Sequence, residues 1–225
     1  SPQGKGDPFT LLIVAHECSL TGAPTALLRL MRWLRASTDY AMGMLSLLDG
    51  PLLKEFETIC PVEVVREVSI FHNVPPATLE EVEPALERLL RRMGTQPHCI
   101  LGNTAASPLA YPCLARFDVP MISYVSEMEG FLRDHLHPQT VRNMLDFTDQ
   151  FITVSSPVGA GLRNKGVAAE RIRVIPCGIT EYPTSLDEVR RTELLRSLGV
   201  NADTPVIWGC GTLSAIKGTD WFYEI

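Results

Sequence analysis

Short, almost wholly apolar runs recur along this chain, and amphipathic stretches of helical length separate them. TLLIVA (10–15), MGMLSLL (42–48), HCILG (98–102), PMISYV (120–125) and QFITVS (150–155) are such runs, with RIRVIP (171–176) a shorter one. A strand that is apolar at successive positions has to be covered on both faces. Strands of that kind alternating with helices imply right-handed crossovers. The expected fold is therefore α/β: a Rossmann-like, mostly parallel sheet with helices on both faces.

The helical stretches carry their own start and stop signals. APTALLRLMRWLR places Leu27, Met31 and Leu34 on one face with Leu30 beside them, and Arg29, Arg32 and Arg35 on the other. Pro24 suits a first helical turn, where its missing N–H is not needed. Thr78 with Glu81 reads as a capping box before EPALERLLRRM, which Gly94 stops; Ser185 with Glu188 reads as another before DEVRRTELLRSL, which Gly199 stops. CGITEYPTS (177–185) breaks the rhythm. The organisation expected is a Rossmann-like domain over 1–178, then a linker and the start of a second domain over 179–225, with a fresh strand in TPVIWGCG (204–211).

Composition narrows the class. Apolar residues make up 45% of the 225 and charged residues 20%, enough for a packed core and too apolar for disorder. The net charge of -6 argues against a general nucleic-acid binder. The six cysteines are scattered without a CxxC, and His72, His98, His135 and His137 share no ligand spacing, so neither a structural metal nor a disulfide framework is expected. SPQGKGDP has no apolar centre for a signal peptide, and no run reaches the roughly 18 residues of a membrane span. The expected location is the cytoplasm. The stripe of Arg29, Arg32 and Arg35 near Trp33 would allow peripheral contact with the inner face of a membrane, or is simply a solvated helix face.

In an open parallel sheet, ligands bind where strands end at their carboxyl side. The segments there are HECSLTGAP, GNTAAS, SEMEG, SSPVGAG and, in the second region, GCGTLSAIKG. Gly, Ser, Thr and Asn dominate them, a composition suited to hydroxyl-rich or phosphate-bearing ligands. Gly22 precedes a helix that Pro24 opens, so backbone N–H groups there could cradle a phosphate; a tight turn would need the glycine equally. Lys217, flanked by glycine, could neutralise a diphosphate or stand in solvent. His16, Glu17, Asn103 and Glu127 sit at strand ends, as ligand contacts or as caps of the helices that follow. Gly209-Cys210-Gly211 is half a dinucleotide fingerprint with Ser214 where the third glycine would stand.

Taken in order, these loops resemble the GT-B glycosyltransferases, in particular the large retaining group called family four. HECSLTGAP is similar to that family's first loop, and NTAASPL, YVSEMEGFL and FITVSSPVGAGLRNKGVAAERIRVIPCGI to its later segments. VIWGCGTLSAIKGTDWF resembles the opening of its donor-binding domain. The resemblance implies transfer of a sugar from a nucleoside diphosphate sugar to a hydroxyl on a saccharide or lipid-linked acceptor, with retention and without a metal or other cofactor. It implies donor diphosphate contacts at Gly22, Ala23, Thr212 and Lys217. It further implies acceptor contacts at His16, Glu17 and Asn103, and reacting-centre residues at Ser126 and Glu127.

Three departures accompany the resemblance. Ser126 stands where many members have histidine, Thr212 or Ile216 where many have arginine, and Pro176-Cys177-Gly178-Ile179-Thr180 lacks an Asn and an Asp. The family's acidic motif would fall beyond Ile225, so the isolated chain is expected to be inactive. Two other functions compete: a non-catalytic sugar- or nucleotide-binding domain on the same fold, and a dinucleotide-dependent oxidoreductase with Asp49 as its ribose-binding acid.

Overall fold

The computed structural model describes residues 8–65, 79–178, 187–201, 204–207, 209 and 217–224. The chain divides into two compact units, Ser1–Gly178 and Ile179–Ile225.

The first unit is a seven-stranded parallel sheet of β1 (Thr10–Ala15), β2 (Ala41–Ser46), β3 (Val62–Val64), β4 (Cys99–Asn103), β5 (Met121–Val125), β6 (Gln150–Thr153) and β7 (Ile172–Val174). Their spatial order is β3-β2-β1-β4-β5-β6-β7. Order therefore reverses between β1 and β4, which pair from Leu11 opposite Cys99 to Ala15 opposite Asn103. A crevice opens at such a switch point because the loops leaving the two strands depart to opposite faces.

The helices are α1 (Gly22–Ser37), α2 (Leu53–Glu57), α3 (Leu79–Met93), α4 (Tyr111–Leu114), α5 (Glu129–Asp134), α6 (Pro138–Phe147) and α7 (Ser156–Asn164). The period of two along β1 splits its side chains between two cores. Leu11, Ile13 and Ala15 pack with Leu27, Leu28 and Met31 of α1 and Phe56 of α2. Leu12 and Val14 join the larger core, with Leu86 and Leu89 of α3, Tyr111, Met144 and Leu162. Helices on both faces are what strands of continuous apolar character demand.

Two details of this unit differ from the sequence expectations. The three-residue β3 carried too little apolar signal to be read. On α1 the buried stripe is Pro24, Leu27, Leu28 and Met31, whereas Leu30 is exposed, about 110° round the helix from the stripe's centre. The expected capping residue Thr78 lies outside the described residues.

The second unit holds α8 (Glu188–Ser197) and α9 (Thr219–Tyr223). Asp187 caps α8, its carboxylate accepting the Arg190 N–H at 3.1 Å, while Ser185, the expected capping residue, lies outside the described residues. Gly199, at φ +69°, ends that helix as expected. The strand expected over 204–211 does not form at 204–207 or 209. A strand persists only against a neighbour that takes its ladder bonds, and the described residues of this unit offer none.

Candidate functional site

The loop after β1 is pinned from below. Leu48 donates its N–H to His16 O at 3.1 Å and Leu52 to Cys18 O at 2.8 Å. Gly50 lies so close that an added Cβ would meet the Cys18 carbonyl carbon and oxygen at 2.4 Å. From above, Glu17 gathers the loop: its Oε1 accepts Ser19 Oγ at 2.6 Å and Thr21 Oγ1 at 3.2 Å, while Ser19 Oγ also accepts the Thr21 N–H at 3.3 Å. Glu17 is thus engaged within its own loop. Nothing in the bare sequence HECSLTG distinguishes such a knot from a ligand-binding set.

This loop delivers the chain to α1 with an open N-terminus. Thr21 makes no side-chain cap, and the first turn contains no acidic residue. Pro24 has no N–H, and Thr25 donates to Thr21 O at 3.2 Å. Among the described residues nothing accepts from the N–H groups of Gly22 or Ala23. Gly22 is exposed, and a Cβ there would find no atom within 4 Å. Sixteen aligned peptide dipoles end at these two donors, a partial positive charge suited to an anion.

His16 is buried, with Nε2 at 3.4 Å from Glu17 Oε1 and Nδ1 without a hydrogen-bond partner among the described residues. Burial lowers its pKa below the ordinary 6.5, and the pull of the Glu17 and Glu127 carboxylates the other way does not overcome it. The neutral imidazole is therefore the resting form near pH 7. Asn103, buried at the end of β4, donates its Nδ2 to Ala23 O at 3.2 Å, tying the β4 loop to the start of α1. Ser107, unremarked in the sequence, places its hydroxyl between Asn103 O (2.5 Å) and Val14 O (3.0 Å), joining the same two strand ends.

Glu127 and Ser126 follow β5. The Glu127 carboxylate accepts from the N–H groups of Ala105 and Ser126 and from the Ser126 hydroxyl. A groove of about 320 Å³ runs beside these loops, between Leu27, Leu30 and Trp33 of α1 and the residues Asn103, Tyr124 and Cys177. Burial and the neighbouring Cys177 thiol push the Tyr124 phenol up to about 12. A larger hollow of about 460 Å³ lies at the β3 edge and is lined by Glu63, Arg88 and Arg92, which pair with one another. It is three strands from β4.

The structure thus brings His16, Glu17, Gly22, Ala23, Asn103, Ser126 and Glu127 to one sheet edge in the first unit. Lys217 belongs to the second unit, immediately before Gly218 at φ +65°, and Thr212 lies outside the described residues. Asp49 turns its Oδ1 onto the Gly50 N–H at 2.6 Å, closing a local turn. Three histidines have structural partners: His98 Nδ1 accepts the Thr10 N–H at 3.0 Å, His137 Nδ1 the Gln139 N–H at 3.1 Å, and His135 packs on Phe131. His72 lies outside the described residues, among which no three His, Cys, Asp or Glu cluster to hold a metal ion.

Among solved structures, this fold is similar to that of Anabaena HepE in complex with UDP and glucose. Identity there is 18% and the TM-score 0.60, over 84% of this chain and 50% of that one. A glycosyltransferase from Rickettsia africae matches at 14% identity and a TM-score of 0.61, over 89% and 52%. The lipopolysaccharide outer core galactosyltransferase WaaB matches at 13% and 0.55, over 78% and 47%. The chain spans about half the length of these structures, and its fold is that of one half of the GT-B architecture. No curated protein sequence matches it. The sequence profile of Glycosyltransferase Family 4 matches residues 20–181, from the loop before α1 through β7, and the chain belongs to that family.

Proposed function

We propose that this chain supplies the acceptor wall and first diphosphate contacts of a glycosyltransferase. The enzyme moves a sugar from a nucleoside diphosphate sugar to a hydroxyl of a saccharide or lipid-linked acceptor, with retention and without a metal. The observation that carries this reading is the open N-terminus of α1 at the switch point, where among the described residues the Gly22 and Ala23 N–H groups lack partners and the first turn holds no acidic residue. Donors fixed in advance stabilise the charge that develops as the diphosphate departs, with no reorganisation at the moment of reaction. His16 and Asn103, and with them Glu17, form the wall against which the acceptor hydroxyl is positioned, and Ser126 and Glu127 stand beside the reacting sugar.

On the second unit, Lys217 and Thr212 are the proposed diphosphate contacts. The chain by itself is expected not to turn over, since it spans half the length of the structures it resembles. The exposed Trp33 and Leu30, with Arg29 and Arg35, suit a peripheral contact with anionic lipid at the cytoplasmic face. That HepE was solved with UDP and with UDP-glucose makes UDP the first ligand to try.

The test is calorimetric titration of the chain with UDP. Binding is expected for the wild type and for Gly22→Ala, and at least about tenfold weaker binding for Gly22→Asp, which sets a carboxylate at the helix terminus. The open space around Gly22 predicts that neither variant lowers the Tm. Equal UDP affinity in Gly22→Asp and wild type would reject the α1 terminus as the diphosphate site.

A further inference from the structure

Glu127 accepts three hydrogen bonds from its own protein. Its Oε2 takes the Ala105 N–H at 3.1 Å and the Ser126 N–H at 3.0 Å, and its Oε1 takes the Ser126 hydroxyl at 3.0 Å. A carboxylate offers about four lone-pair positions, so little of this one is left for another partner. The bond to Ala105 crosses from the β5 loop to the β4 loop, and Ala105 is fully buried.

The residue before Ala105 is Thr104, at φ +79°. A β-branched residue stays in the left-handed region only where its surroundings hold it there. Three contacts do so. The Thr104 N–H donates to Tyr124 O at 2.8 Å, its Oγ1 accepts the Ala106 N–H at 3.3 Å, and Glu127 fixes the peptide on its other side through Ala105. The turn so held leaves Asn103 directed at Ala23 O, the second residue of α1.

We propose that Glu127 is a positioning residue. Its carboxylate clamps the Thr104 turn, and through Asn103 sets where the Gly22 and Ala23 N–H groups stand. It acts as an acceptor of backbone hydrogen bonds, not as a charge or proton carrier toward the sugar. The clamp stands on the hydrogen bonds alone, whereas its consequence for UDP rests on the diphosphate reading above.

Amide exchange and UDP titration of the whole chain separate the two. Glu127→Ala is expected to speed exchange at Ala105 and Ser126 by about tenfold or more and to weaken UDP binding. Glu127→Gln keeps an oxygen for the two N–H groups and is expected to restore both readouts to within about threefold of wild type. Adding Thr104→Gly to Glu127→Ala should recover UDP binding, because glycine holds a positive φ without support. Should Glu127→Ala not fold, Glu127→Asp, one methylene short, gives the same contrast. Unchanged protection of Ala105 in Glu127→Ala overturns the clamp, and so does a Glu127→Gln variant that loses UDP as severely as the alanine. If the wild type binds no UDP, the diphosphate reading fails while Ala105 exchange still decides the clamp.

Discussion

In the first unit Leu12, Ile13 and Val14 are wholly buried, whereas in the second Ile207, Trp221 and Tyr223 are 76%, 74% and 80% exposed. The difference lies less in residue type than in what each element meets. β1 has strands on both sides and a core on each face, so every apolar side chain finds contacts. α1 likewise buries Leu27, Leu28 and Met31, each worth roughly 1.5–3 kcal/mol. Among the described residues of the second unit, Leu195 is the one buried hydrophobic side chain. α8 stands instead on local devices: the Asp187 cap, the pairs of Arg190 with Asp187 and Arg191 with Glu188 at 3.2 and 3.8 Å, and Gly199. Exposed pairs of that kind contribute about 0.5 kcal/mol each and a cap about 1.

The contrast is sharpest in amide exchange. The β1 amides should open only with global unfolding, and those of α8 by local fraying, so protection is expected to differ by on the order of a thousandfold or more. Equal protection in the two would show that α8 shares the stability of the sheet and would break the comparison. Next in size is Gly102→Ala. A Cβ at Gly102 would stand 2.0 Å from the Tyr111 hydroxyl, itself held at 2.7 Å by Ser123 in a fully buried site. Neither the strand backbone nor the ring can retreat, so a loss of about 3 kcal/mol is expected in urea unfolding of the first unit. Adding Tyr111→Phe removes the nearest atom and should return part of it. A neutral Gly102→Ala would mean that this core yields where the structure has it closed.

The same contrast explains what could be read from the sequence. TLLIVA could be read as a doubly covered strand because burial on both faces writes itself into consecutive residues. The helix at 22–37 was visible through its 3.6 period, and α3 through its own. β3 was not visible, since three residues of VEV carry no period. The strand expected over 204–211 does not form at 204–207 or 209, because a pattern such as TPVI states an apolar preference but cannot supply a pairing neighbour. At the candidate site, residue types and order pointed to the loops that follow the strands, because topology places every post-strand loop at one sheet edge. The sequence could not say which polar groups face outward. Glu17 and Glu127 turn back onto Ser19, Thr21, Ala105 and Ser126, and Gly50, Thr104 and Ser107 hold the loops by contacts that join residues far apart in the chain. Among the described residues of these loops, His16 keeps a buried Nδ1 without a hydrogen-bond partner.

That atom gives the smallest of the expected effects and the one most specific to the first unit. His16 is held neutral by burial, so its folded pKa lies below 6.5 while the unfolded chain titrates near that value. As pH falls below about 6.5 the unfolded state takes up a proton that the folded state refuses. Stability must then drop until the folded pKa is passed, by at most about 1.4 kcal/mol per pH unit for one proton. Glu63 acts in a separate, more acid window. Although burial would raise it, the bonds from Arg88 and Arg92 hold its pKa below 4.5, so its contribution is lost only as pH falls through that range. Between pH 7 and 5, β1 amide protection in the wild type should therefore fall with a slope that His16→Asn removes, while α8, corrected for intrinsic exchange, shows no such slope. A slope surviving in His16→Asn would assign it to another group. A slope shared by α8 would mean that the two units do not unfold independently.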